Sequence, residues 1–267
     1  MIVRPCDAAA RPPQAEFGII PNSPFLFPYF IPNLRALPKS DFFMKTWLKI
    51  LAVAILFYVH VAGLLANVPR LEILNETVRA LYFHVPMWFG MVLLFLISVY
   101  YAVRHLRNPL PENDRKSVEF ANIGLIFGLL GMATGMLWAN YTWGSPWHGD
   151  PKQNGAAIAL LVYLAYFVLR GSIDNTEQKA RLSAVYNIFA FAAMVPLLFI
   201  IPRLQDSLHP GSGGNPGFNV YDLDDRMRMI FYPAVIGWFL VGVWIATLRI
   251  RYKTLEEKVL EITHENA

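Results

Sequence analysis

Two histidines in this sequence stand where an imidazole could reach a metal from outside a membrane. His84 lies in Arg79-Ala-Leu-Tyr-Phe-His84-Val-Pro86, and His209 lies in Ser207-Leu-His209-Pro-Gly-Ser. Between them runs Trp138-Ala-Asn-Tyr141-Thr-Trp143-Gly-Ser-Pro-Trp147-His148-Gly-Asp150-Pro. Each segment has a plain reading when taken alone. Trp and Tyr gather at membrane interfaces, and a histidine at a helix terminus often caps it. Together they form a chemical set. Imidazole supplies axial ligation to haem iron, indole faces stack on a flat ring, and arginine pairs bidentately with carboxylates. A flat apolar macrocycle with a metal and two carboxylates calls for these groups. Zinc is the rival metal for a histidine pair, with His148 or Asp150 as its further ligand. Cys6 is the single cysteine, so the chain has no Cys-x-x-Cys-His attachment motif and no Cys-based zinc site.

The elements that must carry these residues follow from composition. Of 267 residues, 55% are hydrophobic and 16% charged, and mean hydropathy is +0.39. A soluble chain carries about 25% charge, so the balance points to an integral membrane protein. The net charge of +4 is small and spread along the loops, which excludes a nucleic-acid binder. A helix needs about 20 apolar residues to cross the hydrocarbon. Six stretches approach this: 47–66, 80–103, 118–139, 155–169, 183–202 and 229–248. Open sheet edges cannot lie in lipid, so the expected fold is all-α, a polytopic membrane protein of six transmembrane helices. If the chain before the first helix is cytoplasmic, thirteen Lys and Arg flank the helices inside and six lie outside. That asymmetry predicts both termini cytoplasmic. It also puts His84, His209 and the Trp-rich segment on the external face.

Three regions are expected. Residues 1–43 hold eight of the 19 prolines, read as an irregular segment or as chain upstream of a translation start at Met44. Residues 44–251 form the membrane domain, with external loops at 138–154 and 203–228. Residues 252–267 form a short charged cytoplasmic tail, in which Leu255, Val259 and Ile262 have helical spacing. The third helix carries Gly124, Gly128, Gly131 and Gly135, spaced for close helix approach. The fourth stretch reaches only about 22 Å as a helix, so the Trp-rich loop is expected to dip into the outer leaflet and complete that span. His60 falls in the outer half of the first helix, where an imidazole is costly and a functional candidate, with a hydrogen bond to a neighbouring helix as the plain reading. His105 and His264 are expected to be solvated among inner charges.

Trp143-Gly-Ser-Pro-Trp147-His-Gly-Asp150 resembles the Trp-rich segment of the CcmC/CcsA haem-handling family of cytochrome c assembly proteins. The segments around His84 and His209 resemble that family's two external histidine segments, in the same order, and the size is nearer CcmC. The likeness runs from about Met44 to Arg251. It implies a non-enzymatic haem-binding and haem-delivery protein of the bacterial cytoplasmic membrane, with its working face periplasmic. By the same likeness the haem is b-type and non-covalent, held between His84 and His209 on a platform of Trp143, Trp147 and Asp150. The partners implied are a CcmE-like haem chaperone and CcmA/CcmB-like ABC transporter subunits. Arg79 is added as a propionate partner on physical grounds. The family motif has Trp just before the Asp, where this chain has Gly149. The charged residue that follows the Asp in the family is replaced by Pro151-Lys152.

Other readings stay open on the sequence. A haem or small-solute transporter, or an ABC permease subunit, would need polar residues at several depths of the bilayer. A membrane oxidoreductase with structural haems would need paired axial ligands on facing helices, and His60 lacks an evident partner. A scaffold subunit would bind no ligand.

Overall fold

The computed structural model describes residues 44–70, 74–209 and 223–265. The segment 1–43 and most of the loop beyond His209 lie outside the described residues. Among the described residues, six helices are each long and apolar enough to cross a membrane. They are α1 (Thr46–Leu65), α2 (Leu81–Arg107), α3 (Pro111–Trp143), α4 (Pro151–Gly171), α5 (Thr176–Val195) and α6 (Asp225–Glu265). A 3₁₀ turn, Asn75–Ala80, leads into α2. Over the described residues the fold is all-helical, that of a polytopic membrane protein, as expected.

Local chemistry sets the helix ends. Pro111 and Pro151 sit in the first turns of α3 and α4, where the missing N–H costs no helical bond. The Asp150 carboxylate caps α4 by accepting from the Lys152 N–H at 2.8 Å, and Asn175 caps α5 through the Gln178 N–H at 2.8 Å. Gly144 ends α3 in the left-handed region, at φ 82°, a conformation that favours glycine.

Two boundaries differ from the sequence expectation. The fourth helix begins at Pro151 and has 21 residues, about 32 Å at 1.5 Å per residue. It spans by itself, and the loop between α3 and α4 shrinks to 144–150. Hydropathy missed the first turn because Lys152, Gln153 and Asn154 are polar. The charged tail, in turn, is no separate element, because α6 runs unbroken through Tyr252 to Glu265.

Helix α2 is the hub. The α3 glycines let it approach closely: a Cβ on Gly124 would lie 2.8 Å from the Phe95 ring, and one on Gly131 would lie 2.9 Å from Trp88. The core continues into α4 through Phe95 and Tyr163, stacked with centroids 3.5 Å apart. Helix α1 is peripheral, burying Ala52, Val59 and Gly63, and packs on α6 and the start of α2. Past Val195, α5 opens into a π turn, Pro196–Ile200, and then a 3₁₀ turn, Ile201–Arg203. Pro196 has no N–H to continue the α ladder.

Some polar groups inside the bundle bond across helices. Asn187 donates to Ser98 Oγ at 2.7 Å and Ser117 Oγ at 3.1 Å, joining α5, α2 and α3. At the α2–α3 end, Arg170 grips Asp114 with two bonds of 2.9 and 2.6 Å, and Arg249 meets Glu119 at 2.5 Å. His105 is buried there and donates from Nδ1 to Leu110 O at 3.1 Å, rather than standing in solvent. His60 donates to Leu56 O of its own helix at 2.6 Å, not to a neighbouring helix.

Candidate functional site

A cavity of about 480 Å³ opens at the end of the bundle where α3 meets α4. That volume suits a small organic ligand. Its apolar wall comes from α2, α3 and the π turn after α5, including Val92, Met132, Leu198 and Phe199. His84 and His209 both line it, although 125 positions separate them in the chain.

His84 sits on the first turn of α2, buried against α3. Gly135 makes room for its ring, since a Cβ there would stand 2.5 Å from His84 Cε1. Trp88 and Trp138 flank the imidazole edge-on, with centroids 6.3 and 5.9 Å away. Trp138 is fixed by its own N–H, which donates to Thr77 Oγ1 at 3.2 Å. The hydrogen-bond network assigns the tautomer. Thr134 Oγ1 lies 2.8 Å from Leu130 O and 3.2 Å from Gly131 O; with its one hydrogen on either carbonyl it accepts from His84 Nδ1–H at 3.1 Å. In that tautomer the lone pair of His84 is on Nε2.

His209 reaches the same state by another route. Its Nδ1 lies 2.9 Å from Asp150 Oδ1. An ionised carboxylate only accepts, so Nδ1 carries a hydrogen, and in the neutral ring Nε2 is the nitrogen left to bind a metal. Asp150 also accepts from Ser207 Oγ and the Leu208 N–H, both at 2.8 Å on Oδ2. One carboxylate thus caps α4 and ties down the 207–209 segment. Burial works against its charge, yet the bonds from His209, Leu208 and Ser207 outweigh burial and hold the carboxyl well below the usual carboxylate range. A histidine whose Nδ1–H is held by an oxygen acceptor, with Nε2 left to bind, is the usual arrangement of a metal-ligating imidazole.

The Trp-rich loop folds around Gln153. That side chain accepts from the His148 N–H at 3.0 Å and donates to Pro146 O at 3.2 Å. Gly149, at φ 67°, makes the turn into Asp150. Trp143 stands edge-on to His209 at 5.0 Å and to His148 at 6.0 Å. Trp147 is 40% exposed. Neither Trp143, Trp147 nor Asp150 lines the cavity; Trp143 and Asp150 contact His209 instead. Arg79 also stands apart. It donates to Ala66 O at 2.6 Å and Gly63 O at 3.1 Å, and pairs with Glu76 at 2.7 Å, so it closes the C-terminus of α1.

The sequence places Trp88 and Trp138 on the external aromatic face, but the platform expected there does not include them. Trp88 follows His84 by four residues, the spacing of one helix face, and that signal was available. Thr134, Gly135, Lys152 and Arg203 became visible with the packing. Among the described residues no group of three or more His, Cys, Asp or Glu is placed to hold a metal ion. Among these residues the Asp150–His209 pair has no third partner of the kind zinc needs.

The family model of heme exporter protein C matches residues 35–264. Heme exporter protein C of Rhodobacter capsulatus is 29% identical over 193 residues, covering 67% of this chain and 73% of the relative. That of Bradyrhizobium diazoefficiens is 29% identical over 178 residues, 66% of each chain. The cytochrome c biogenesis protein CcsA of Thermosynechococcus vestitus is 41% identical over 70 residues, 26% of this chain and 22% of its own. With a match across most of its length, this chain belongs to the heme exporter protein C family.

Proposed function

We propose that this protein binds haem non-covalently in the cavity beside α2 and α3, with His84 and His209 as the two axial ligands, and passes it on for cytochrome c assembly. One observation carries the reading: two imidazoles from distant parts of the chain line one cavity, each with its Nδ1 within hydrogen-bond distance of an oxygen. Haem iron takes two imidazole nitrogens. Trp88 and Trp138 supply aromatic wall beside the ring, in place of the Trp143 and Trp147 expected from the sequence, which do not line the cavity. The sequence holds one cysteine, Cys6, and no Cys-x-x-Cys-His motif, which agrees with a non-covalent, b-type haem.

In this reading the α3–α4 end faces the periplasm, both termini are cytoplasmic, and the membrane is the bacterial cytoplasmic membrane. The excess of Lys and Arg at the opposite end supports that orientation. The protein is a carrier rather than an enzyme. Its acceptor is a CcmE-like chaperone, and it works beside CcmA/CcmB-like ABC subunits. The exposed Trp147 loop, adjoining His209 through Trp143, is the surface offered to that acceptor.

The test is haem content. The detergent-purified protein is expected to carry near-stoichiometric haem with a low-spin spectrum. A His84→Ala, His209→Ala double variant is expected to lose it. Equal haem and an unchanged spectrum in the double variant would remove these ligands from the account.

A further inference from the structure

Helix α6 is longer than a membrane crossing requires. Its 41 residues reach about 62 Å at 1.5 Å per residue, roughly twice the hydrocarbon thickness. The apolar run ends at Leu248, and eight of the 17 residues from 249 to 265 are Arg, Lys or Glu. This charged end still carries an apolar stripe. Ile245, Leu248, Tyr252, Leu255 and Val259 are between 39 and 61% exposed, and Ile262 continues their spacing. Steps of three and four residues are those of positions a and d of a heptad. Ile245, Tyr252 and Val259 fall at a, and Leu248, Leu255 and Ile262 at d. The bundle takes the other side of the helix. Ala246, Thr247 and Ile250, at b, c and f, are buried. Thr254 and Glu257, again c and f, accept from Arg115 at the start of α3, at 3.0 and 3.2 Å. The a/d seam therefore points away from its own protomer. An apolar row on a charged, projecting helix marks an interaction surface.

We infer that this seam joins two copies of the protein as a short, parallel, two-stranded coiled coil. The residue pattern selects that partner. β-Branched residues at a with leucine at d favour two parallel strands. Here Ile245 and Val259 stand at a, and Leu248 and Leu255 at d. The membrane supplies the orientation. Two copies inserted the same way present α6 in parallel and at equal depth, so a two-fold axis along the membrane normal sets each a residue against its own equivalent. Glu256 at e and Lys258 at g keep the edges of the seam polar. The stripe spans about two and a half heptads, short of the three or four of a free-standing coiled coil. Confinement to one bilayer raises the effective concentration of the partner and offsets that shortness. A lipid surface is the rival cover for an amphipathic segment. Lying on it would need a bend after Leu248, and α6 runs unbroken through that point. The seam lies at the opposite end of the bundle from the cavity, so it stands apart from the haem reading.

The test is cysteine cross-linking of the full-length protein in isolated membranes, in a Cys6→Ser background that removes the one cysteine of the sequence. Helix axes 8–10 Å apart, with Cα atoms at a radius of 2.3 Å, bring facing seam positions to about 4–6 Å, within reach of a disulfide. Position b is turned away, about 12 Å from its equivalent by the same geometry. V259C is therefore expected to give a covalent dimer on oxidation with copper phenanthroline. L260C, one residue on and 54% exposed, is expected to give about tenfold less, because its sulfurs cannot meet. L255C should behave as V259C does, and L255E/V259C should lose the dimer. Equal yields at 259 and 260 would mean random collision and would overturn the seam. Absence of dimer from both L255C and V259C would overturn it too, and would leave the stripe to lipid or to a different protein.

Discussion

Asp150→Asn separates orientation of the ligand from folding of the helix. The wild-type carboxylate accepts four hydrogen bonds, two on each oxygen: Lys152 N–H and His209 Nδ1–H on Oδ1, Ser207 Oγ–H and Leu208 N–H on Oδ2. An asparagine offers one oxygen and one NH₂. If its oxygen takes the Oδ1 place, the NH₂ meets the Leu208 N–H and the Ser207 hydroxyl. If it takes the Oδ2 place, the NH₂ meets the α4 cap and His209, whose hydrogen must then move to Nε2, the atom needed for iron. Either way two acceptor positions become donors, and a negative charge beside His209 is lost. A charge-assisted bond contributes about 1.5–3 kcal/mol. Loss of an outer-shell partner of a metal-bound histidine costs about 10–100-fold in affinity. We therefore expect D150N to weaken haem binding about 10–100-fold, read by absorbance titration, with part of the population turning high-spin. Asparagine is itself a good N-cap, so helicity by circular dichroism should hold. Unchanged affinity with a fully low-spin spectrum would refute the claim that Asp150 sets the state of His209.

Other substitutions test separate contacts. Gly135→Ala puts a Cβ 2.5 Å from His84 Cε1; overpacking of this kind costs about 1–3 kcal/mol, and the low-spin haem signal should fall while the other helices remain formed. Thr134→Val removes the acceptor for His84 Nδ1–H and should lower haem affinity, but by less than D150N, since a neutral bond is weaker than a charged one. Arg79→Gln should lower the thermal midpoint, because it frees the carbonyls of Gly63 and Ala66, and should leave the haem spectrum as in the parent. Trp147→Ala, at an exposed position, should retain haem and slow its transfer to a CcmE-like acceptor, measured by mixing the two proteins and separating them.

The six helices were legible because hydrophobic length is a direct consequence of bilayer thickness. The misjudged ends have a common cause. Polar residues in the first turn of α4 and charged residues in the last turns of α6 depress hydropathy without breaking a helix. Asp150-Pro151, a cap followed by proline at the first helical position, carried the α4 start in plain view. At the site, histidine and tryptophan were legible by type and Trp88 by its spacing from His84. The work of Asp150 was not, since it depends on a contact with residues 57 to 59 positions away. Arg79 shows the reverse. Its charge and its place near His84 suggested a ligand partner, but an arginine beside a helix C-terminus also meets unpaired carbonyls, and in this fold those claim it.

The central claim is that one metal sits between His84 and His209. Electron paramagnetic resonance of the ferric, haem-loaded protein tests it most directly. The account predicts a low-spin bis-imidazole signal in the parent, converted to high-spin in both His84→Ala and His209→Ala and returned by added imidazole. A low-spin signal that survives either single substitution would contradict it and place the iron on another ligand.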